Sequence, residues 1–255
     1  MVGPMVTIYG AKEIAAIRRA SQVAAATLWA VGERLAAGVT TGQIDRWVRE
    51  DTARRGGRPS QLGYKGFPAS VCTSRNEVVC HGIPRESDAL VAGDIVNVDV
   101  TTEVDGFHGD TSATFCIGAV APEHVRLVET TREARDAGIA AVRPGARLGD
   151  VGAAIEAVAQ AAGLGVVTAF TGHGIGRHMH EAPQVNNTGR AGVGLRLRPG
   201  MVFTVEPMLT LGSPEIRVLG DGWTVVTCDG RWSAQWEHTL CVTADGAEVL
   251  TRRPE

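Results

Sequence analysis

The chain has 255 residues, a formal net charge of −3 at pH 7, 44% hydrophobic residues and 21% charged residues. This composition is typical of a globular protein with one large domain or two fused halves, and it excludes an intrinsically disordered chain. The small negative charge argues against the broad basic surface that nucleic-acid binding usually needs, so no nucleic-acid specificity is expected.

The cysteines and the termini indicate a cytoplasmic protein. Five cysteines are widely spaced, odd in number and without a Cys-x-x-Cys pair: Cys72, Cys80, Cys116, Cys228 and Cys241. We expect reduced, mostly buried thiols rather than a disulfide framework or a cysteine zinc site. The N-terminal residues show no signal peptide, and the most apolar window, residues 151–170, is too polar to span a membrane.

Two helices are predicted at the start of the chain. Apolar residues recur at helical spacing in the first: Ile14, Ile17, Ala24, Leu28, Val31 and Leu35. This pattern predicts an amphipathic helix that ends near Gly38. Thr40, with Gln43 three places later, resembles a capping box that opens a second helix, which Gly56 and Gly57 close.

The same helix pair recurs later in the chain. Residues 123–142 and 148–162 read as helices, with Gly145 between them and Gly163 after them. Three glycine pairs share one offset of 107 positions: Gly38 with Gly145, Gly42 with Gly149, and Gly56 with Gly163. We therefore predict an internal duplication, with halves at roughly residues 12–120 and 121–250 of a single domain spanning residues 1–255.

Each helix pair precedes a β-rich stretch with a hairpin signal. Asp105-Gly106 lies between two strand patterns in the first half, and Asp229-Gly230 lies between two others in the second. Such dipeptides favour two-residue hairpin loops, so neighbouring strands are expected to be antiparallel. Two halves of helices and antiparallel strands predict an α+β fold rather than a doubly wound sheet.

The first hairpin brings two carboxylates together. With Asp105 and Gly106 as the loop, residue 99 faces residue 112, and residue 101 faces residue 110. Asp99 and Asp110 are then diagonal neighbours on one sheet face, in strands otherwise rich in Val, Ile and Phe. Carboxylates in such surroundings need a compensating positive charge, which a metal would supply.

The second half contains groups that match them. Glu206 and Glu237 each interrupt an apolar strand pattern, and His173 lies in a glycine-rich turn that permits close approach to a ligand. Four carboxylates and one histidine suit divalent ions such as Mn²⁺, Fe²⁺ or Co²⁺, whereas structural zinc favours thiolates. The four negative charges of the carboxylates would balance the positive charges of two such ions.

Taken singly, each candidate has an ordinary interpretation. Asp99 is compatible with an edge or turn residue, and Asp110 with the end of a turn. Glu206 and Glu237 are each compatible with an arginine partner, and His173 with a satisfied core or loop histidine. Only the five together favour a metal site.

Five segments together resemble a known family. They read SVCTSRNEVVCHGIP, VNVDVTTEVDGFHGDTSATF, GHGIGRHMHEAPQV, MVFTVEPM and SAQWEHT. In order and spacing they are similar to the signature segments of type I, bacterial-type methionine aminopeptidases (peptidase family M24A), over roughly residues 10–250. The resemblance implies the pita-bread fold, in which two pseudo-symmetric α–β halves surround a central antiparallel sheet. It also implies one catalytic domain that removes the initiator methionine from nascent proteins, preferring a small second residue.

The resemblance also implies roles for individual residues. Asp99 would hold one metal ion, His173 and Glu206 the other, and Asp110 and Glu237 both, so that two divalent ions of the Co²⁺, Mn²⁺ or Fe²⁺ class generate a hydroxide that attacks the peptide. His180 would steady the oxyanion, Glu206 would carry the proton to the leaving amine, and His81 would position the peptide beyond the scissile bond.

The same family predicts the methionine pocket and the partners. The walls of the methionine pocket would be Tyr64, Phe67, Cys72, Met179 and Trp223, next to His81 and His180. Phe67 lacks the usual tyrosine hydroxyl and Met179 replaces a bulky ring, which leaves the width of the pocket open. All five residues, and Cys72 above all, are also compatible with plain core packing. We expect a monomer that acts on N-termini of nascent polypeptides, with any ribosome contact made by the catalytic domain's own surface and none with membranes.

Two other functions stay open from the sequence. A proline-directed exopeptidase of the same fold would share the ligands, although such chains usually carry a large additional N-terminal domain. A metal-free interaction protein would be expected to have lost ligands, whereas all five positions are filled here.

Overall fold

A computed structural model describes residues 6–253 of the chain. In that range the helices form two pairs: α1 (Ala11–Gly32) and α2 (Thr41–Arg54), then α3 (Pro122–Ala140) and α4 (Leu148–Ala161). The strands before α3 are β1 (Arg58–Pro59), β2 (Cys72–Arg75), β3 (Val78–Cys80), β4 (Ile95–Val104) and β5 (Phe107–Cys116). Those after α4 are β6 (Gly165–Val166), β7 (Gly172–Gly174), β8 (Glu181–Val185), β9 (Val202–Val205), β10 (Met208–Thr210), β11 (Ile216–Val218), β12 (Val225–Thr227), β13 (Ser233–Gln235), β14 (His238–Val242) and β15 (Ala247–Val249).

The predicted helices are confirmed, with one difference at the end of α1. The capping box of α2 is present, because Thr40 Oγ1 accepts the Gln43 amide at 3.0 Å and Gln43 Oε1 accepts the Thr40 amide at 2.9 Å. Helix α1 ends at Gly32 rather than near Gly38. Leu35 lies in the turn that follows and still packs against the core, which is why the apolar pattern outlasts the helix.

The glycines of the predicted duplication adopt matching conformations. Gly38 and Gly145 both have left-handed backbones, with φ of 91° and 86°. Gly56 and Gly163 do as well, with φ of 80° and 69°. Gly38 and Gly145 follow the first helix of each pair, and Gly56 and Gly163 follow the second. A residue without a Cβ adopts the left-handed conformation that reverses the chain at little cost. The agreement supports the duplication, which remains a prediction.

Four antiparallel sheets make up the β structure of residues 6–253. Their strand orders are β1-β4-β2 with β5 also on β4, then β15-β14-β9-β7-β8, β13-β10-β6 and β11-β12-β3. The first sheet packs on α1 through a buried apolar cluster, and α3 and α4 pack on the sheets of the second half through another. In the described range, no helix combines the length and the apolar character that crossing a membrane requires.

The first predicted hairpin is confirmed and the second is wrong. Strands β4 and β5 pair with Val104 opposite Phe107 and Asp99 opposite Ser112, the register that Asp105-Gly106 predicts. Asp229-Gly230 does not join paired strands, because β12 pairs with β11 and β3 whereas β13 pairs with β10. The Asp229 carboxylate accepts the amides of Arg231 and Ser213, at 3.0 and 2.7 Å, so this turn bonds to a separate loop.

Hydrogen bonds from β5 connect the two halves. The Glu237 amide donates to the Ser112 carbonyl at 3.1 Å, and Thr111 Oγ1 donates to the Glu237 carbonyl at 2.9 Å. The Asp110 amide donates to Thr239 Oγ1 at 3.1 Å. Strand β5 therefore carries Asp110 directly against the chain segment that carries Glu237.

Candidate active site and metal centre

Breaks in two strands place the glutamates. Glu206 lies between β9 and β10, and Glu237 lies between β13 and β14. The pairs Val205–His238 and Met208–Gln235 belong to one register, so Glu206 lies opposite Glu237 and Pro207 opposite Trp236. Proline has no amide hydrogen for a ladder, which is a physical reason for the break at this point.

The hydrogen bonding of His173 leaves a lone pair aimed at two carboxylates. Its Nδ1 lies 3.0 Å from the Gly174 carbonyl, which can only accept, so Nδ1 carries the proton when the ring is neutral. The unprotonated Nε2 then lies 3.5 Å from Glu206 Oε1 and 3.8 Å from Asp110 Oδ2. A lone pair that faces carboxylate oxygens is unfavourable unless a proton or a cation lies between them.

The remaining carboxylates complete the cluster. Asp110, His173 and Glu237 each present a ligand atom within 4.8 Å of the other two. Asp99 Oδ1 is buried without a hydrogen-bond partner, which is costly for a carboxylate oxygen. Neither glutamate pairs with an arginine in the described residues, so the ordinary interpretation given above for each of them does not hold.

Burial and mutual repulsion control the protonation of this cluster. Burial raises the pKa of Glu206 to about 8. Burial, together with the neighbouring carboxylates, also raises the pKa of Asp99 and Glu237 well above their usual range. Burial lowers the pKa of His173. Before a cation binds, buried carboxyl groups keep their protons and the imidazole beside them stays neutral. A cation-binding site without its cation is expected to have this protonation state.

These residues fit divalent metal ions. The donors are hard oxygens and one imidazole nitrogen, the set that Mn²⁺, Fe²⁺ and Co²⁺ accept. Both the orientation of the His173 lone pair and the unpartnered oxygen of Asp99 are accounted for by a bound cation. Thiolates, which structural zinc would favour, are absent from the group of ligand atoms that converge in the described residues.

The cluster forms the floor of a cavity of about 380 Å³. Every residue predicted for the site lines this cavity: Tyr64, Phe67, Cys72, His81, Asp99, Asp110, His173, Met179, His180, Glu206, Trp223 and Glu237. The structure therefore brings together residues that are more than 170 positions apart in the sequence. Their individual roles remain predictions.

The walls combine aromatic contacts with neutral histidines. Phe67 packs edge-on against Trp223 with ring centroids 5.1 Å apart. His81 lies edge-on to Phe170 at 5.2 Å, and burial lowers its pKa to about 4. Tyr64 Oη lies 2.9 Å from Nδ1 of His180, whose pKa is lowered to about 3 by partial burial and by the neighbouring His173. Both histidines are therefore neutral at pH 7.

Several polar residues that contact the predicted ligands were missed from the sequence. Thr204 Oγ1 donates to Glu206 Oε1 at 2.7 Å, and Gln235 Nε2 lies 3.3 Å from Glu206 Oε2. Gln61 Nε2 donates to the Asp99 carbonyl at 3.0 Å. Thr204 and Gln235 each precede a predicted ligand by two positions, so strand alternation was a usable signal for both of them. Gln61 lies in a loop, where no such signal exists.

Comparison with known proteins places this site in a family. The model of metallopeptidase family M24 matches residues 15–244. The chain belongs to metallopeptidase family M24 and is a hydrolase.

Similar proteins carry a more specific name. The chain is 50% identical to methionine aminopeptidase A of Synechocystis, over 98% of this chain and 99% of that protein. It is 44% identical to the methionine aminopeptidase of Escherichia coli, over 98% and 95%. The crystal structure of methionine aminopeptidase from Rickettsia prowazekii superposes with a TM-score of 0.95 at 45% identity, covering 97% of this chain and all of that one.

A more distant match bears on the fold. Prolidase from Pyrococcus furiosus matches with a TM-score of 0.78 at 19% identity, over 97% of this chain and 66% of that one. At this identity the likeness concerns the fold alone. The predicted α+β pita-bread fold is confirmed.

Proposed function

We propose that this protein removes the N-terminal methionine from nascent polypeptides, preferring substrates with a small second residue. The observation that carries the proposal is the cavity itself, which has buried carboxylates and an imidazole on its floor and a thioether and aromatic rings on its walls. Relatives that match this chain over nearly their full length are named methionine aminopeptidases, which supports the same activity here.

The cavity floor would hold two divalent ions of the Mn²⁺, Fe²⁺ or Co²⁺ class. Asp99 would bind one ion, His173 and Glu206 the other, and Asp110 and Glu237 both. Such ions, when bound, lower the pKa of a coordinated water and polarise the scissile carbonyl. The unpartnered Oδ1 of Asp99 and the Nε2 of His173 support this assignment.

Glu206 would carry the proton to the leaving amine. Thr204 donates to one of its carboxyl oxygens and Gln235 to the other, so the group is held in one orientation. A general acid–base group needs such a fixed position within hydrogen-bond reach of the proton it transfers. The matching geometry at Glu237 lacks these two side-chain donors in the described structure, which favours Glu206 for the role.

The neutral histidines would act as hydrogen-bond donors. If Tyr64 Oη donates to Nδ1 of His180, then Nε2 of that ring keeps its proton and can donate to the developing oxyanion. His81, packed between Phe170 and Trp223, would orient the peptide beyond the scissile bond. Since both pKa values lie well below 7, neither ring brings a competing positive charge to the metal site.

The methionine side chain would lie among Tyr64, Phe67, Cys72, Met179 and Trp223. Thioether and aromatic surfaces make favourable contacts with a methionine sulfur. Phe67 and Met179 are both buried, at 3% and 6% exposure, so they limit the width of the pocket. The free α-amine of the substrate would lie at the Asp99 side of the floor, which restricts cleavage to N-termini.

We also propose that the enzyme works as a monomer in the cytoplasm. The five cysteines are unpaired, and Cys72, Cys80 and Cys241 are buried, in keeping with a reducing compartment. Any contact with the ribosome would use the surface of this domain.

The deciding experiment compares peptides on the purified protein after loading with Mn²⁺ or Co²⁺. We expect rapid release of methionine from Met-Ala-Ser, slower release from Met-Lys-Ser, and none from chelated protein. Asp99→Asn should abolish release, whereas Glu133→Gln on the exposed face of α3 should not change it. Preference for Xaa-Pro peptides would instead assign a proline-directed exopeptidase, and absence of both metal binding and activity would assign an interaction protein.

A further inference from the structure

The N-terminal segment before α1 packs against the loop that carries Met179 and His180. Tyr9 is only 5% exposed, and its ring belongs to a buried cluster with Ile17 and Ile175. Its amide donates to the Gly200 carbonyl at 2.8 Å. Tyr9 is thus held from both its backbone and its ring.

The Tyr9 hydroxyl reaches a carboxylate at the end of that loop. Tyr9 Oη lies 2.7 Å from Oε2 and 2.9 Å from Oε1 of Glu181. Burial raises the pKa of Tyr9 to about 12, so the hydroxyl keeps its proton and donates at every pH at which the enzyme would work. This is a hydrogen bond to a charged acceptor, a stronger class than a bond between neutral groups.

Both groups also hold backbone amides of the loop, residues 176–181, which we call the site loop. The Arg177 amide donates to Tyr9 Oη at 3.2 Å, and the His178 amide donates to Glu181 Oε1 at 2.8 Å. A Cβ atom on Gly176 would lie 2.0 Å from Tyr9 Oη, so the backbone of the site loop rests directly on the hydroxyl.

Other contacts also support the site loop, among them Arg177 over the Phe107 ring at 4.6 Å and Tyr64 Oη against His180 Nδ1 at 2.9 Å. The His108 amide donates to the Gly176 carbonyl at 2.8 Å, at the start of the loop. Arg177 pairs with Glu13 at 2.9 Å, but more than half of the Arg177 side chain is exposed, and such surface pairs contribute little. Along the chain, Met179 and His180 follow the two amides that bind Tyr9 and Glu181, those of Arg177 and His178, and they precede Glu181. The hydrogen bonds therefore hold the loop on both sides of Met179 and His180.

We infer that Tyr9 and Glu181 are positioning residues, whose hydrogen bond holds the site loop so that Met179 closes the methionine pocket and His180 faces the scissile carbonyl. The roles of Met179 and His180 in this inference rest on the proposed function. The way in which the site loop is held rests on the contacts described above. A displacement of about 1 Å in a site group is enough to lower catalysis substantially, which is why a bond outside the cavity can matter.

The kinetic test uses Tyr9→Phe, which keeps the ring and removes only the hydroxyl. We expect kcat/KM for Met-Ala-Ser to fall about tenfold, as loss of a bond to a charged acceptor predicts. The ratio of kcat/KM for Met-Ala-Ser over Leu-Ala-Ser should fall too, because Met179 no longer limits the pocket. A general loss of stability would lower the amount of active enzyme and leave that ratio unchanged.

Glu181→Gln keeps one acceptor oxygen but removes the charge, so it should have the same effects in a weaker form. The double variant should be little worse than Tyr9→Phe alone, because both changes act on the same hydrogen bond. The matched control is Glu248→Gln. Glu248 also accepts hydrogen bonds from the N-terminal part of the chain, from Arg18 at 2.8 Å, but it does not line the cavity. This control should retain both kcat/KM and the selectivity ratio.

Hydrogen exchange on the chelated protein separates this inference from the proposed function. The amides of Arg177 and His178 should exchange faster in Tyr9→Phe and Glu181→Gln, and not in Glu248→Gln. Unchanged exchange of these amides, or faster exchange with an unchanged kcat/KM and selectivity ratio, would overturn the positioning role. An inactive wild-type enzyme would overturn the proposed function, while the exchange data would still show whether Tyr9 holds the loop.

Discussion

Glu206 and Glu237 occupy matching positions in the gap between two antiparallel strand pairs, β9 with β14 and β10 with β13. The pairs on either side, Val205 with His238 and Met208 with Gln235, keep the same register. Two glutamates in directly opposed, buried positions repel each other, and in an antiparallel pair such like charges are destabilising. The arrangement is stable at neutral pH only if protons or cations offset the charge.

Glu206→Gln should therefore have opposite effects with and without metal. In chelated protein at pH 8 we expect the variant to be about 2 kcal/mol more stable than the wild type, because a buried charge is removed. The pKa of Glu206 is raised by folding, to about 8, so its favourable contribution is present at low pH and is lost as pH rises through that value. Thermal unfolding from pH 5 to pH 8.5 measures both effects, and the metal-induced rise in Tm should shrink in the variant.

The exposed Glu133 provides the control for that measurement. Glu133→Gln should follow the wild type with and without metal. Equal pH dependence of the wild type and Glu206→Gln would contradict the raised pKa.

Metal binding should release protons at pH 7. Burial raises the pKa of Glu206, Asp99 and Glu237, so some of these carboxyl groups hold protons until a cation displaces them. Affinity for Mn²⁺ should then weaken by about tenfold for each proton and each pH unit on acidification. Calorimetry in buffers of different ionisation enthalpy counts the protons directly, and a heat that is independent of the buffer would refute this.

His180→Ala should affect turnover more than binding. Loss of one oxyanion donor typically lowers kcat by about 10²-fold, with a smaller change in KM. Tyr64→Phe should cause a milder loss, because it removes only the hydroxyl that lies 2.9 Å from His180 Nδ1. Steady-state kinetics on Met-Ala-Ser measure kcat and KM of both variants. A change confined to KM in His180→Ala would show that His180 does not stabilise the oxyanion.

Phe67→Ala should weaken both the fold and the selectivity. Phe67 is 3% exposed and packs on Trp223, so truncation should cost about 3 kcal/mol of unfolding free energy. The pocket would widen, and larger first residues such as phenylalanine should become better substrates relative to methionine. Phe67→Tyr keeps the ring and serves as the comparison, and it should retain most of the stability.

Thr40→Ala tests a local feature that the sequence predicted. The side chain caps α2 through the Gln43 amide, and its loss should cost about 1 kcal/mol. Thr40 does not line the cavity, so kcat/KM for Met-Ala-Ser should not change. Chemical denaturation measures the cost. A variant as stable as the wild type would mean that the cap contributes nothing.

Local patterns in the sequence were sufficient for the helices and the first hairpin. The capping box at Thr40 and the register set by Asp105-Gly106 depend on residues within a few positions of each other, so short-range rules apply. The register placed Asp99 and Asp110 on one face, as observed. Apolar strand patterns and a glycine-rich turn indicated Glu206, Glu237 and His173, and the family resemblance added the other site residues. All of them line one cavity.

Other features were decided by the tertiary structure. Asp229-Gly230 has the same local signal as Asp105-Gly106, yet its flanking strands pair elsewhere, because the partners β10, β11 and β3 come from distant parts of the chain. Gln61 contacts the site through its hydrogen bond to Asp99, and Tyr9 contacts the site loop through its hydrogen bond to Glu181. Both bonds join residues far apart in the chain, so hydrophobic periodicity does not predict them. The amino-acid sequence alone thus indicated which residues could bind metal, and it determined the four helices and the first hairpin. The opposition of Glu206 to Glu237, the lone pair of His173 aimed at carboxylates and the hold of Tyr9 on the site loop depend on how segments far apart in the chain pack, which local preferences do not specify.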